Sequence, residues 1–438
     1  MRRLARLAVN VGTGVCVLGL GEAHAVAHGY AMTGTSRFAW SLGFVLALLV
    51  AAYGFGLPDV PRSRRRAVTA AVGAIAAATA SISVPELFVG DALLPRAVVF
   101  GSALVLVPWY VLCARLAGDA RSRAEERDRV VLIGDAEEGE TLRAELDRAP
   151  ERHAVVVATV APDDAALVDP PRLPLVEVAR ATHATVMVLS RRAQSDDDVV
   201  LQVARLHEAG VRVRTLSLFY EQWLGKLPVG ELERVSLLFD VGEVHAPRYA
   251  RVKRLFDLAL AGAGTVVLAL VTPVVVLANL VANRGPLLYR QPRVGRDGRP
   301  FSILKFRTMR TVAPVGEPTA ERDPRVTRFG RLLRGTHLDE LPQMVNILRG
   351  ELSIVGPRPE QPHLVTELSE KLPFYRLRHL VRPGLTGWAQ VKYRYAGTEI
   401  EALEKLQYEF FYLRRQSLAL DVRIVGRTLR SVMGRDGR

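Results

Sequence analysis

The sequence predicts a multi-domain membrane protein in three parts: an α-helical transmembrane bundle at 1–120, an α/β domain at 128–245, and a mainly helical, membrane-associated domain at 251–438. Three observations carry that prediction. The first 120 residues hold long runs without a charge, short β-branched runs then alternate with amphipathic ones, and the net charge changes sign twice along the chain. Of 438 residues, 49% are hydrophobic and 24% charged, and a mean hydropathy of +0.14 requires the two kinds to be segregated. The formal charge of +14 divides as +6 over 1–129, −7 over 130–250 and +15 over 251–438. Composition excludes a disordered chain, a collagen and a disulfide scaffold. Cys16 and Cys113 lie in apolar runs and in no metal-type spacing. The basic excess selects an anionic partner: nucleic acid, an anionic membrane or a phosphate-rich substrate.

Four apolar stretches define the bundle. Leu7–Gly21 is marginal, whereas Phe38–Leu57, Ala67–Val84 and Ala97–Ala114 each run 18–20 residues without a charge, long enough to span a bilayer. Ala67–Val84 is alanine-rich and therefore expected to pack against its neighbours. Arg2, Arg3 and Arg6 precede the first stretch; Arg62, Arg64, Arg65 and Arg66 separate the second from the third; Arg115, Arg121 and Arg123 follow the fourth. The other two loops carry only Arg37 and Arg96. Four spans with both ends cytoplasmic satisfy the positive-inside rule at every loop. A signal peptide ending at Ala23-His24-Ala25 is the alternative for the first stretch.

In the acidic segment, Val130–Gly134, Val155–Val160, Thr185–Leu189 and Val211–Leu216 read as strands. Glu137–Leu146 and Val199–Ala209 read as helices, the second behind the acidic cap Asp196-Asp197-Asp198. That order predicts a doubly wound, Rossmann-like sheet. The turn Gly134-Asp135-Ala136-Glu137-Glu138-Gly139 lacks the second glycine of a dinucleotide fingerprint. It also puts carboxylates where a pyrophosphate would sit. A structural or regulatory role is the better reading.

Leu255–Ala282 is 28 residues with one charge, Asp257. Basic residues flank it on both sides: Lys253 and Arg254, then Arg284 and Arg290. A crossing helix with both ends basic conflicts with the positive-inside rule. Thr272-Pro273 lies inside the run, where proline interrupts the hydrogen-bond ladder. A re-entrant helix over 251–284, anchored by Lys253 and Arg254 and bent at Thr272-Pro273, accounts for both features.

Beyond it come three polar constellations. In Phe301–Met309, strand alternation puts Lys305 and Arg307 on one face, a spacing that can grip a diphosphate. Pro342 suits the first turn of a helix whose buried face would be Met344, Val345 and Leu348, so Asp339 and Glu340 fall at its start. They either complement the helix dipole or, with arginines nearby, stay ionised as a nucleophile or metal ligand must. Gly356-Pro357-Arg358-Pro359 is a rigid turn that fixes one guanidinium, or only a surface corner. At the C-terminus Leu418, Val422, Val425, Leu429 and Val432 form a stripe opposed by Arg423, Arg427 and Arg430. It fits a helix on a membrane surface and a helix packed on its own domain equally well.

The stretch from Lys253 onward resembles the bacterial sugar transferases, monotopic polyprenyl-phosphate phosphoglycosyl transferases. The resemblance rests on ordered pieces: Lys253-Arg254-x-x-Asp257, the Thr-Pro helix, Arg293-Val294-Gly295, Lys305–Met309 and Asp323–Thr327. Leu338-Asp339-Glu340-Leu341-Pro342-Gln343, Val355–Pro359, Pro383–Gln390 and Ser417-Leu418-x-Leu420-Asp421 complete them. The whole chain looks like the long form, with four spans and a degenerate nucleotide-fold domain before the transferase. Thr272 stands where serine is commoner. His337 also stands where the pattern has serine, and is read as packing beside the acidic pair rather than as catalytic.

The resemblance implies transfer of a sugar phosphate from a UDP-sugar to polyprenyl phosphate with release of UMP. Asp339 would be the nucleophile and Glu340 a Mg²⁺ ligand with Asp339 beside it. Lys305, Arg307, Arg334 and Arg358 would bind phosphate. It also implies a bacterial inner-membrane location with the catalytic domain cytoplasmic, lipid but not nucleic acid as a partner, and an oligomeric state that admits a homo-oligomer. The competing reading is a non-catalytic membrane regulator whose basic domain binds anionic lipid or nucleic acid.

Overall fold

A computed structural model describes residues 2–33, 35–58, 64–89, 93–117, 127–148, 154–165, 173–228, 247–282, 285–310, 325–372, 374–393 and 399–433. Arg62, Arg121, Arg123 and Arg284, used above for topology, and Asp323-Pro324 of the motif series lie outside these residues. The chain forms two compact units, one of 1–118, 245–394 and 415–438, the other of 119–244 and 395–414. Among the described residues, five helices are long and apolar enough to cross a membrane: Leu4–Ala27, Ser36–Gly54, Arg64–Ser83, Arg96–Leu116 and Tyr249–Ala282.

The first unit begins with helices α1 (Arg2–Ala27), α2 (Ser36–Gly54), α3 (Arg64–Val89) and α4 (Arg96–Leu116). Their core joins Phe44, Leu48 and Ala52 of α2 to Ala70, Ala71, Ala74 and Ala78 of α3 and Leu106 and Tyr110 of α4. The alanines of α3 let neighbouring backbones approach closely, which is how helices associate where no hydrophobic effect drives them together. Polar groups inside are paired: Thr13 Oγ1 donates to Val9 O at 2.6 Å and lies 2.7 Å from Tyr110 Oη. Phe100 and Leu104 point outward, 69% and 80% exposed, as a lipid-facing surface requires.

The second unit is built on a four-stranded parallel sheet in the order β2-β1-β3-β4. Its strands are β1 (Asp128–Ile133), β2 (Ala154–Val160), β3 (Val186–Leu189) and β4 (Arg212–Thr215). Val130 and Leu132 enter a core on one face, and Val131 and Ile133 a core on the other, the burial expected of parallel strands covered on both sides. Helices α5 (Ala136–Arg148), α6 (Pro174–Ala181) and α7 (Asp197–Glu208) connect them. Asp196 caps α7, accepting from Asp198 N at 3.0 Å and Val199 N at 3.2 Å. Glu399–Arg414, remote in sequence, completes this unit. Lys226, 1% exposed, joins Glu145 at 2.7 Å to Glu404 at 3.3 Å.

The rest of the first unit starts with α8 (Pro247–Ala282), 36 residues and so about 54 Å long. It continues through Pro273 without interruption, and Thr272 Oγ1 donates back to Leu268 O at 2.6 Å. A proline bend of the kind expected at Thr272-Pro273 is compatible with this continuity. Asp257, the one charge of the apolar run, is buried and faces protein: its Oδ1 accepts from Ser353 Oγ and Ile354 N, each at 3.0 Å. Antiparallel strands β5 (Leu288–Val294) and β6 (Pro300–Phe306) follow. Next come α9 (Arg328–Gly335), a 3₁₀ turn at Leu338–Glu340 and α10 (Gln343–Arg349). Parallel strands β7 (Ser353–Val355) and β8 (Gly384–Thr386) and helix α11 (Leu418–Met433) end it.

Helix α11 is buried through residues beside its apolar stripe. Asp421 and Ile424 are fully buried, and Arg430 Nη1 donates to Phe55 O at 2.8 Å. Gly426 and Gly54 sit backbone to backbone, so a Cβ on Gly426 would overlap the Gly54 carbonyl group. The helix packs on its own unit, leaving Leu418 and Leu429 about two-fifths exposed at 37% and 40%.

Candidate active site

Asp339 and Glu340 lie in the 3₁₀ turn immediately before α10. His337, the residue ahead of that turn, holds φ 56°, a left-handed conformation that costs a non-glycine residue about 1–2 kcal/mol. It redirects the chain from α9 into the acidic pair. The residue is exposed and lies near enough to act electrostatically on both carboxyls. On α10 the buried residues are Gln343, Met344, Asn346 and Ile347. Leu348 is 39% exposed and Val345 half-buried, so only Met344 of the expected face is buried. The turn rotates the helix relative to the face that apolar spacing alone would choose.

Cations gather around the pair from three elements. Lys305, near the end of β6, places Nζ 2.6 Å from Glu340 Oε1, with both side chains 20% exposed. Arg334, in the last turn of α9, donates through Nε to Thr308 Oγ1 at 2.9 Å. The N-terminus of α9 is fixed by Thr327 Oγ1, which accepts from Gly330 N at 2.9 Å. Gly330 is needed there, because a Cβ would overlap the Thr308 carbonyl. Arg358 is exposed at the tip of the Pro-Arg-Pro turn. That turn is held from behind: Arg378 Nη2 donates to Arg358 O at 2.8 Å and Arg293 Nη1 to Pro359 O at 3.0 Å.

Arg307 behaves differently from Lys305. Strand β6 stops at Phe306, one residue short of Arg307. Arg307 Nε donates to Met309 O at 2.8 Å, and its Nη2 donates to Arg310 O. Lys253 and Arg254 also have protein partners. Lys253 Nζ is 2.9 Å from Asp421 Oδ2. Arg254 donates to Ile347 O at 2.7 Å and Leu348 O at 2.9 Å, carbonyls at the C-terminal end of α10.

These surroundings separate the two carboxyl groups. Burial raises the proton affinity of Asp339, and the Glu340 charge raises it further, against Lys305, Arg334 and His337, which lower it. Burial acts the same way on Glu340, but Lys305 and Arg358 outweigh it and hold Glu340 below its ordinary value. Glu340 is thus the settled anion, and Asp339, 8% exposed, is the more proton-prone carboxyl. Two adjacent carboxyls ringed by cations can accept a phosphate-rich ligand and hold one divalent ion. Sequence reasoning gave no role to Thr308, Asn346 or Arg378. Of the three only Asn346 leaves a trace in the sequence, as a polar residue within the apolar run Met344–Leu348.

Residues 248–435 match the family model described as bacterial sugar transferase. Over 247 residues the chain is 34% identical to a UDP-N-acetylgalactosamine-undecaprenyl-phosphate N-acetylgalactosaminephosphotransferase of Aeromonas hydrophila, covering 54% of this chain and 57% of that one. It is 40% identical over 181 residues to a UDP-glucose:undecaprenyl-phosphate glucose-1-phosphate transferase of Escherichia coli (strain K12), covering 40% and 38%. These relatives are thus matched over little more than half of their length or less. An enzyme of the same printed name from Caulobacter vibrioides is 41% identical over 188 residues, which cover 42% of this chain and 70% of the relative. With the long helix, the acidic turn and the cations around it inside the family-model match, and with this relative covered to 70% of its length, the chain belongs to the bacterial sugar transferase family.

Proposed function

We propose that this protein transfers a sugar 1-phosphate from a UDP-sugar to a polyprenyl phosphate such as undecaprenyl phosphate, releasing UMP. It would act on the cytoplasmic face of a bacterial inner membrane, as the first step of a surface-glycan assembly. The observation that carries the reading is the Asp339–Glu340 pair at a helix start with Lys305, Arg334 and Arg358 around it. Asp339 attacks the phosphorus that bears the sugar. The bond from that phosphorus to the bridging oxygen breaks, and UMP leaves with the electron pair. An oxygen of the polyprenyl phosphate then attacks the same phosphorus, forming the diphosphate bridge of the product while the bond to Asp339 breaks and its carboxylate is restored. Lys305, Arg334 and Arg358 stabilise the phosphate charge that develops in both steps, and the backbone pins on Arg358 keep its guanidinium in place. Arg307 joins them only if its loop opens.

Asp339 and Glu340 would hold Mg²⁺. Among the described residues no group of three or more His, Cys, Asp or Glu gathers, and a two-carboxylate site suits this ion, which takes its other ligands from water and phosphate. Bound there, it supplies positive charge to the diphosphate and favours the ionised form of Asp339.

The re-entrant reading of α8 gains support from where its partners lie. Asp257 meets Ser353 and Ile354, a Cβ on Gly264 would meet Met344, and Val275 clusters with Phe306 and Leu333. A helix crossing a hydrocarbon core about 30 Å thick would carry Val275 away from the elements that bear Lys305 and Arg334. The 128–245 segment fits a degenerate Rossmann-like domain without a cofactor.

Membranes containing the protein should release UMP from a UDP-sugar when undecaprenyl phosphate is supplied. Asp339→Asn should abolish release, by at least about 10³-fold, with expression and folding unchanged. Full activity in that variant would refute the nucleophile assignment, and no UMP release by the wild type from any UDP-sugar would favour the regulator reading. For topology, single cysteines at positions 250 and 286, in a background with Cys16 and Cys113 replaced by alanine, should label from the same membrane side. Labelling from opposite sides sinks the hairpin.

A further inference from the structure

We propose that Asn346 is a positioning residue that sets Lys305 against the acidic pair. The proposal rests on the reading of Lys305 given above. Asn346 is fully buried, 0% exposed, on the helix that begins just after Glu340. Its Oδ1 accepts from Leu304 N at 3.1 Å, and its Nδ2 donates to Ser302 O at 2.8 Å and to Glu351 Oε2 at 2.6 Å. Ser302 and Leu304 alternate along β6, and Lys305 follows directly.

The pattern is that of a missing strand. Strand β6 pairs with β5 along one edge, which leaves the other edge with backbone donors and acceptors to satisfy. A residue of a parallel neighbour would take the C=O of one residue and the N–H of the residue two further on. The Asn346 carboxamide makes that pair of bonds by itself. It keys the strand to the helix at a single register, and Glu351 fixes which end of the carboxamide is the donor. Register matters because side chains alternate faces along a strand. A slip of one residue would turn Lys305 away from Glu340 and bring a neighbouring apolar residue in its place. The 2.6 Å Lys305–Glu340 contact is thus set from a residue that itself faces away from the pair.

A merely structural asparagine would lower stability and leave Lys305 to contribute independently. A double-mutant cycle on the full chain in membranes separates the two roles. The readout is UMP release, using whichever of UDP-glucose and UDP-N-acetylgalactosamine the wild type turns over. Asn346→Ala and Lys305→Ala should each lower kcat/KM by tenfold or more, and the double variant should be no more than about threefold worse than Lys305→Ala alone. Losses that multiply overturn the proposal. Should Asn346→Ala fail to fold, Asn346→Asp in a Glu351→Gln background keeps the shape, the acceptor for Leu304 N and a hydrogen bond to position 351 while removing the donor to Ser302 O. It enters the same cycle with the same expectation. If Lys305→Ala alone leaves turnover unchanged, the role of Lys305 fails first and the inference with it, an outcome distinct from multiplicative losses.

Discussion

Two turns in this protein put carboxylates at the start of a helix, and they do opposite things with them. In the acidic unit, Glu138 of α5 folds back and accepts from Asp135 N at 2.8 Å. It lies so close over the turn that a Cβ on Gly134 would overlap its carboxylate. The charge is answered by the backbone of its own turn. In the basic unit, Glu340 is answered by the Lys305 side chain at 2.6 Å, and Asp339 lies in the field of Arg334 and His337 as well. Side-chain cations that serve a carboxylate can also serve a phosphate; a backbone amide already covered by a glutamate cannot. The position of an acid at a helix start therefore says little until the partner is known.

The contrast can be broken at its basic end first. Lys305→Ala should lower kcat/KM for UMP release by about 10²-fold, the scale of losing one preorganised charge at a reacting phosphate. A loss below threefold would make the lysine only a counter-ion, no different in kind from the amide of Asp135. The next prediction concerns a ring nitrogen. Among the described residues the buried His379 Nε2 has no hydrogen-bond partner; burial, then Arg378 and Arg376, bring the pKa of His379 down from 6.5 to about 4. The unfolded chain takes up this proton first as pH falls. Stability is therefore complete above about pH 6.5 and declines towards pH 4, by up to about 3 kcal/mol. Thermal unfolding in detergent across that window should show the decline, and His379→Phe should flatten it. An identical pH slope in both proteins would assign the effect elsewhere. The smallest effect belongs to the acidic turn. Glu138→Gln should cost about 0.5–1 kcal/mol of stability and leave UMP release unchanged. A fall in turnover beyond threefold would show that the two turns are not opposites after all.

The sequence was most legible where solvent decides structure. Uncharged runs in the first 120 residues became four helices because a backbone in an apolar surrounding must bond to itself. The β-branched runs of the acidic segment became β1–β4 because parallel strands buried on both faces need them. The helix start after Asp339-Glu340 was equally readable, since proline and an apolar period mark it. Less readable were features set by a partner distant in the chain. Arg307 falls one residue beyond β6 and donates to the carbonyls of Met309 and Arg310, and the buried side of α10 shifted from Val345 and Leu348 towards Asn346 and Ile347. The stripe on α11 did not foretell that Asp421 and Ile424 would be its buried residues or that Gly54 and Phe55 would lie against the helix.

By itself, then, the sequence determined the family, the succession of apolar, acidic and basic segments, and the residue types at the acidic turn. These follow from local pattern and composition, which act over a few residues. Only the tertiary structure decided that Glu399–Arg414 completes the acidic unit, that Asp257 is a buried acceptor for β7, and that Asn346 stands in for a strand beside Lys305. The physical reason is the same in each case. A buried polar group must find its partner wherever the fold brings one, and sequence distance carries no information about where that will be.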